Sequence, residues 1–258
     1  MTFDTTKITD AKRLVRGDLY WNLKRVGVRG RVLLLPGRTT EELTAACAAL
    51  PRCDLVAIDS DPEAAAVAQN SDLADEVVCG KVEDYRRRVT FANLDFCGQV
   101  PPRATDGRSI VTKVASRVAF GLSVFVSYGR DAADRLEHFR ERSETDVQTG
   151  WLKHVPKSLF GRVASLFEEA RLGLGHPASL VRVYRYAGNH TPMLGIVVLR
   201  GRRPEWHPGY FEANDGGLPA RVLREIDNGA ERKLVEDIFA ARGRAAAFRA
   251  VRTMKRRC

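Results

Sequence analysis

Short, continuous apolar runs alternate with helix-like segments through the first half of the chain. This alternation is the feature that most restricts the fold. "RVLLLPG", "DLVAIDSDP", "ADEVVCGKVEDY", "FANLDFCG" and "LSVFVSYG" read as five strands, the first four closely spaced between residues 31 and 98. Their apolar positions are consecutive rather than alternating, as in strands buried on both faces of a parallel sheet. Between them, "TEELTAACAAL", "PEAAAVAQNSD" and "RSIVTKVASRVAFG" read as helices, with Pro62 at a first-turn position. Strand, helix and strand in that order predict βαβ units and a doubly wound α/β sheet.

The flanking segments extend the pattern. Residues 8–27 place Leu14 and Trp21 at helical intervals and predict an N-terminal helix. After the fifth strand, "DAADRLEHFRERSE" and "SLFGRVASLFEEARLG" read as amphipathic helices separated by "TDVQTGWLKHVPK". "LVRVYRYAGNHTPMLGIVVLRG" reads as a hairpin whose turn is "AGNHTP". From Arg202 the chain is first rich in Pro, Gly and aromatic residues, then helical and basic. This divides it into an N-terminal helix (1–27), an α/β domain (28–201) and a C-terminal extension (202–258).

Charge narrows the partners. Lys+Arg 42 against Asp+Glu 32 leaves a net charge of +10 in 258 residues. Arginine carries most of the excess, and its planar fork suits phosphate. The final segment "ARGRAAAFRAVRTMKRRC" holds Arg242, Arg244, Arg249, Arg252, Lys255, Arg256 and Arg257 with no acid among them. It is read as a nucleic-acid contact, against the alternative of a solvated terminus. The five cysteines form no CxxC pair, and the five histidines have no metal-pair spacing, so no metal site is expected. A polar start and no long apolar run point to a cytoplasmic chain without a membrane span. A partner protein or a homo-oligomer is left open.

Five alternating units closed by a hairpin, together with "LVAIDSDPEAAAVA", resemble the class I S-adenosylmethionine-dependent methyltransferases over residues 28–201. The resemblance implies a mostly parallel seven-stranded sheet with an antiparallel last strand, S-adenosyl-L-methionine as cofactor, and a C-terminal helical extension added to the fold. It also implies roles. Asp59, ending the second strand, is positioned to take both ribose hydroxyls through its two carboxylate oxygens, with Ser60 beside it. The competing role, helix capping, falls to Asp61 before Pro62. Gly37 and Arg38, in "LLLPGRTTEE", stand where the family carries a glycine-rich turn, here reduced to one glycine. Lys81 stands where an acid facing the adenine amino group is frequent, which leaves Glu83 or Asp84 for that contact, and Val82 is placed to pack on the adenine face.

"NLDFCG", at the fourth strand's end, partly resembles the signature that holds an amino group beside the transferred methyl. Asn93 and Asp95 supply polar contacts and Phe96 a ring, while both signature prolines are missing. Cys97 is read as packing rather than as a nucleophile, since no proline precedes it. The function implied is methyl transfer to nucleic acid, RNA ahead of DNA. The alternatives are a binding protein or subunit on the same fold without catalysis, and a small-molecule methyltransferase.

Overall fold

The computed structural model describes residues 9–96, 104, 106–127, 155–188, 191–201, 206 and 208–213. Helix α1 (Asp10–Arg25) starts where Thr9 accepts a hydrogen bond from the Lys12 N–H, with Asp10 in its first turn and Lys24 and Arg25 in its last. Both charge placements complement the helix dipole. Gly27, at φ +70°, turns the chain out of the helix. There follow β1 (Gly30–Leu34), α2 (Glu41–Ala49), β2 (Cys53–Asp59), α3 (Pro62–Asn70), β3 (Glu76–Cys79), a 3₁₀ turn (Val82–Asp84) and β4 (Val89–Asp95). The order continues with α4 (Ile110–Ala115), β5 (Val118–Ser127), α5 (Phe160–Leu174), β6 (Ala178–Gly188), β7 (Thr191–Arg200) and β8 (Gly209–Ala213).

The strands form one eight-stranded sheet in the order β3-β2-β1-β4-β5-β7-β6-β8. β1 pairs in parallel with β2 and β4, and β4 with β5. Strand order therefore reverses between β1 and β4, which opens a crevice at their carboxyl ends. β7 runs antiparallel between β5 and β6. Two apolar layers cover the sheet. One packs α4 and α5 against Leu33, Leu94, Val124 and Ile196. The other packs α1 and α2 against Val32, Phe91, Phe125 and Tyr184.

Several expectations need adjustment. The sheet has eight strands rather than seven. β8 lies inside the region read as a C-terminal extension and pairs in parallel with β6, carrying Phe211 and Ala213 into the α1 layer. The antiparallel strand is thus the seventh, and it is not the last. The helix expected through "RSIVTKVASRVAFG" stops at Ala115, and β5 has begun by Val118. Val118 is buried in the sheet, so tertiary burial overrides helical propensity there. The hairpin strands also run further than expected, with Gly188 opposite Thr191. The helix over 131–144, the basic tail, Cys97, Tyr128, Trp151, Lys153 and His190 lie outside the described residues.

One close approach fixes the β5–β7 pairing. Gly195 lies opposite Phe125, and a Cβ at Gly195 would run into the Phe125 ring. Gly195→Ala should therefore cost about 1–3 kcal/mol of stability, the range for overpacking a core. Urea denaturation measures this, and an unchanged midpoint would show that the ring is free to move aside.

Candidate active site at the carboxyl edge of the sheet

At the end of β2 the chain needs a sharp transition into α3, and three acids share the work. Asp61 caps α3, its carboxylate accepting from the Glu63 N–H at 3.0 Å. Arg38 bridges to Asp61 at 2.6 Å and to Glu63 at 2.8 Å, tying the β1 loop to the start of α3. The Arg38 hydrogen bond, with its charge, holds the Asp61 carboxyl below the usual carboxylate range. Arg38 is therefore held by these acids on an exposed loop, which departs from the expectation that it contacts cofactor.

Asp59 does different work. Its Oδ1 accepts from the Asp61 N–H at 2.9 Å, and its carboxylate also accepts from the Gly37 N–H. The Gly80 N–H donates to its backbone carbonyl at 2.9 Å. One half-buried acid thus joins the exits of β1, β2 and β3. Burial pushes its carboxyl above the ordinary value of 3.8, outweighing those backbone donors. Gly37 adopts φ +67°, and a Cβ there would meet nothing within 4 Å, so the space beside it is open. Ser60 is exposed next to Asp59. Val82 is buried in the α4/α5 layer, and this packing, not an exposed face, is where the structure places it. Glu83 is half-buried, and its carbonyl accepts from Arg117 at 3.0 Å.

The end of β4 is built from α1. Lys12, Arg16 and Tyr20 recur at helical spacing on one stripe, and all three reach β4 or α2. Lys12 Nζ is 2.7 Å from Asp95 Oδ2, and Arg16 Nη2 lies 3.8 Å from the same oxygen. Arg16 Nε faces Glu42 of α2, and the Tyr20 hydroxyl donates to Glu42. Asn93 donates to Glu42 at 2.9 Å and to the Tyr20 oxygen at 3.3 Å, and it accepts from Ser123 at 2.6 Å. Burial, followed by Glu42, pushes the Tyr20 hydroxyl well above its ordinary pKa.

This arrangement changes the reading of "NLDFCG". Asn93 is 1% exposed, and its amide hydrogens are both spent inside the network. It therefore holds Glu42 and does not face an acceptor. Phe96 packs on the α4/α5 layer, and its N–H donates to the Phe125 carbonyl at 2.9 Å, extending the β4–β5 pairing. Asp95 alone of the three stands at the strand edge, paired rather than free. Sequence reading missed Lys12, Arg16, Tyr20 and Glu42. The signal was present in the i, i+4, i+8 spacing of three polar residues beside the apolar stripe of α1.

Among the described residues no group of three or more His, Cys, Asp or Glu side chains is gathered to hold a metal, and no helix is long and apolar enough to cross a membrane. No protein-family model matches the chain, and no curated protein matches it. Solved structures of similar shape include the plantazolicin methyltransferase BpumL with a desmethyl analogue and SAH, at 10% identity and TM-score 0.48, over 75% of this chain and 86% of that one. The N-methyltransferase NodS from Bradyrhizobium japonicum WM9 aligns at 11% identity and TM-score 0.46, over 78% of this chain and 100% of that one. The mitomycin 7-O-methyltransferase MmcR aligns at 15% and 0.43 over 72% of this chain, which spans about half, 53%, of its length. At such levels the likeness is one of shape and assigns no activity. The fold itself stands on this chain's own strand order, a doubly wound α/β sheet with an antiparallel seventh strand.

The raised Asp59 carboxyl has a stability consequence. The folded state binds its proton more tightly than the unfolded chain, so the contribution of Asp59 becomes unfavourable as pH rises from about 3.8 through its folded pKa. Asp59→Asn keeps an oxygen for the Asp61 and Gly37 N–H groups. The variant should be more stable than the parent at neutral pH, with the gain disappearing below about pH 3.8. Thermal melts across pH test this, and a gain that is the same at all pH values would contradict it.

Proposed function

We propose that the chain is an S-adenosylmethionine-dependent methyltransferase whose acceptor is nucleic acid. One observation carries the transferase half. Asp59 ends β2 with its carboxylate fastened to the Gly37 turn, beside open space, on the strand next to β1, where strand order reverses towards β4 and Asp95. The residues fit the cofactor. Asp59 takes two backbone N–H donors, and a carboxylate's remaining lone pairs can accept two adjacent hydroxyls. When bound, the cofactor supplies a methyl group on a positively charged sulfur. Gly37 leaves the backbone open to close approach, and Asp59 would hold the ribose hydroxyls.

Asp95 is the group placed to accept a hydrogen bond from the acceptor's N–H or O–H, provided Lys12 gives up its pairing. Arg16, buried behind it with Nη2 3.8 Å from the same oxygen, keeps the carboxylate aimed. Orientation of this kind, with no covalent step on the protein, is a large share of what such a site contributes. The nucleic-acid half rests on the +10 net charge and on the acid-free basic end. The protein works in the cytoplasm, and Cys47, Cys53 and Cys79 are free thiols.

A second reading, a binding protein on the same fold without catalysis, is favoured by the ion pair between Lys12 and Asp95, which fills the acceptor-side carboxylate with the protein's own amine. Calorimetric titration with S-adenosylhomocysteine separates the two. The parent should bind, and Asp59→Ala should weaken binding by about 1.5–3 kcal/mol, the range for hydrogen bonds to a charged group. No binding by the parent at millimolar ligand would end the transferase reading.

A further inference from the structure

Among the described residues, five arginines gather at the edge of the sheet opposite the site. β1 begins at Gly30, β2 at Cys53 and β4 at Val89, and each is preceded by arginine: Arg29, Arg52 and the run Arg86, Arg87 and Arg88. The register fixes their neighbourhood. Gly30 pairs with Cys53, which sets Arg29 beside Arg52. The Val89 N–H donates to the Arg117 carbonyl at 3.1 Å, which sets Arg88 beside Arg117. Arg29, Arg52, Arg86 and Arg88 are exposed, and none has an ion-pair partner among the described residues. The crowding reaches inward: burial first, and then the charge of Arg86, hold the Arg117 guanidinium below its ordinary range.

A cleft of about 480 Å³ opens beside Arg87 of this group, lined by Arg31, Asp54, Val56, Asp75, Glu76 and Arg87. Most of its polar groups are spent. Glu76 accepts from Arg87 at 3.0 Å and from the Tyr85 hydroxyl at 3.2 Å, and Asp75 accepts from the Leu55 N–H at 2.7 Å. Two are not spent: Arg31 Nε is buried without a hydrogen-bond partner, and Asp54 is exposed without a partner among the described residues.

We infer that this amino edge is a docking surface for single-stranded nucleic acid, with the arginine rim on the phosphates and the cleft taking base edges. Guanidinium forks match phosphodiester oxygens, and a carboxylate such as Asp54 accepts from an exocyclic base amine. In a duplex one hydrogen of each such amine is held in the base pair, whereas a single strand presents the whole Watson–Crick edge to a cleft. A membrane surface fits less well. Its headgroups would meet the carboxylates of the cleft, and among the described residues the exposed large apolar side chains are Trp21 and Leu172, neither of which lines the cleft. The edge lies roughly 15–20 Å from Asp95, given ~3.3 Å per strand residue. The inference extends the nucleic-acid half of the proposed function and does not need methyl transfer. Binding is read without cofactor, so its failure and the failure of the transferase reading are separate results.

The test is fluorescence anisotropy of the full chain with labelled oligocytidylate and oligouridylate RNA across about 50–200 mM salt. Arg29→Gln, Arg52→Gln, Arg86→Gln and Arg88→Gln together should weaken binding at least tenfold at the low-salt end. They should also flatten the log–log salt slope by about 3, at ~0.7 per single-strand phosphate contact. The single Arg88→Gln variant, which leaves every described contact intact, should flatten it by about 0.7. Asp54→Asn should erase a preference for oligocytidylate over oligouridylate. As a control, Arg13→Gln with Arg108→Gln, at the other edge, should leave the slope unchanged. An unaltered slope in the fourfold variant, an equal loss in the control, or a loss seen only with phosphatidylserine vesicles would overturn the inference.

Discussion

Two buried ion pairs fasten α1, one to strand β6 of the sheet and one to α2, and the carboxyl-edge site depends on both. Asp18 meets the Arg182 fork at 2.6–3.0 Å and accepts from the Tyr184 hydroxyl at 3.0 Å, while Arg16 faces Glu42. These groups are almost entirely removed from water, which is costly unless every charge finds a partner in good geometry. For Arg182 the sheet supplies that geometry through a bulge between Leu180 and Arg182, which leaves Val181 and Arg182 together on the α1 side. Arg182 also lies 5.8 Å from the Tyr184 ring and 5.6 Å from the Phe211 ring. Burial of Ala11, Val15, Leu19 and Leu23 supplies the apolar part of the attachment, and the ion pairs fix its rotation and height. Only at that rotation do Lys12 and Arg16 meet Asp95.

The sequence reading reached the alternation of β1 to β5, the helix at the N-terminus and the position of Asp59 at the end of β2, because each is written in local pattern. Continuous apolar runs mark buried parallel strands whatever lies next to them. The separation of Asp59 from Asp61 is equally local, since a cap needs only one acid before Pro62. What was not legible depends on distant partners. Asn93 and Asp95 look alike in "NLDFCG", and only the pairing with Tyr20 and Glu42, 73 and 51 residues away, shows that the first is structural. β8 was hidden because "GYFEA" is short and follows Pro- and Gly-rich chain, and it becomes a strand only when β6 offers an edge.

The two ends of the sheet divide the chemistry. The carboxyl edge holds acids under tight control, Asp59 by backbone donors and Asp95 by two cations. The amino edge carries arginines that face water. Where βα units return their loops to opposite ends, ligand contacts and surface charge can be adjusted with little effect on each other. The α1 pairs connect the two, because the same helix brings Lys12 to Asp95 and delivers its basic last turn to the start of β1.

A double-mutant cycle on Asp18 and Arg182 tests most directly whether α1 is part of the folded core through its ion pairs. Asp18→Ala and Arg182→Met, each alone, should cost about 3–5 kcal/mol, because each leaves a buried charge unpaired. Together they should cost clearly less than the sum, with a coupling energy of up to about 3 kcal/mol from unfolding midpoints. Strictly additive losses, or single losses under about 1 kcal/mol as for an exposed pair, would contradict the account.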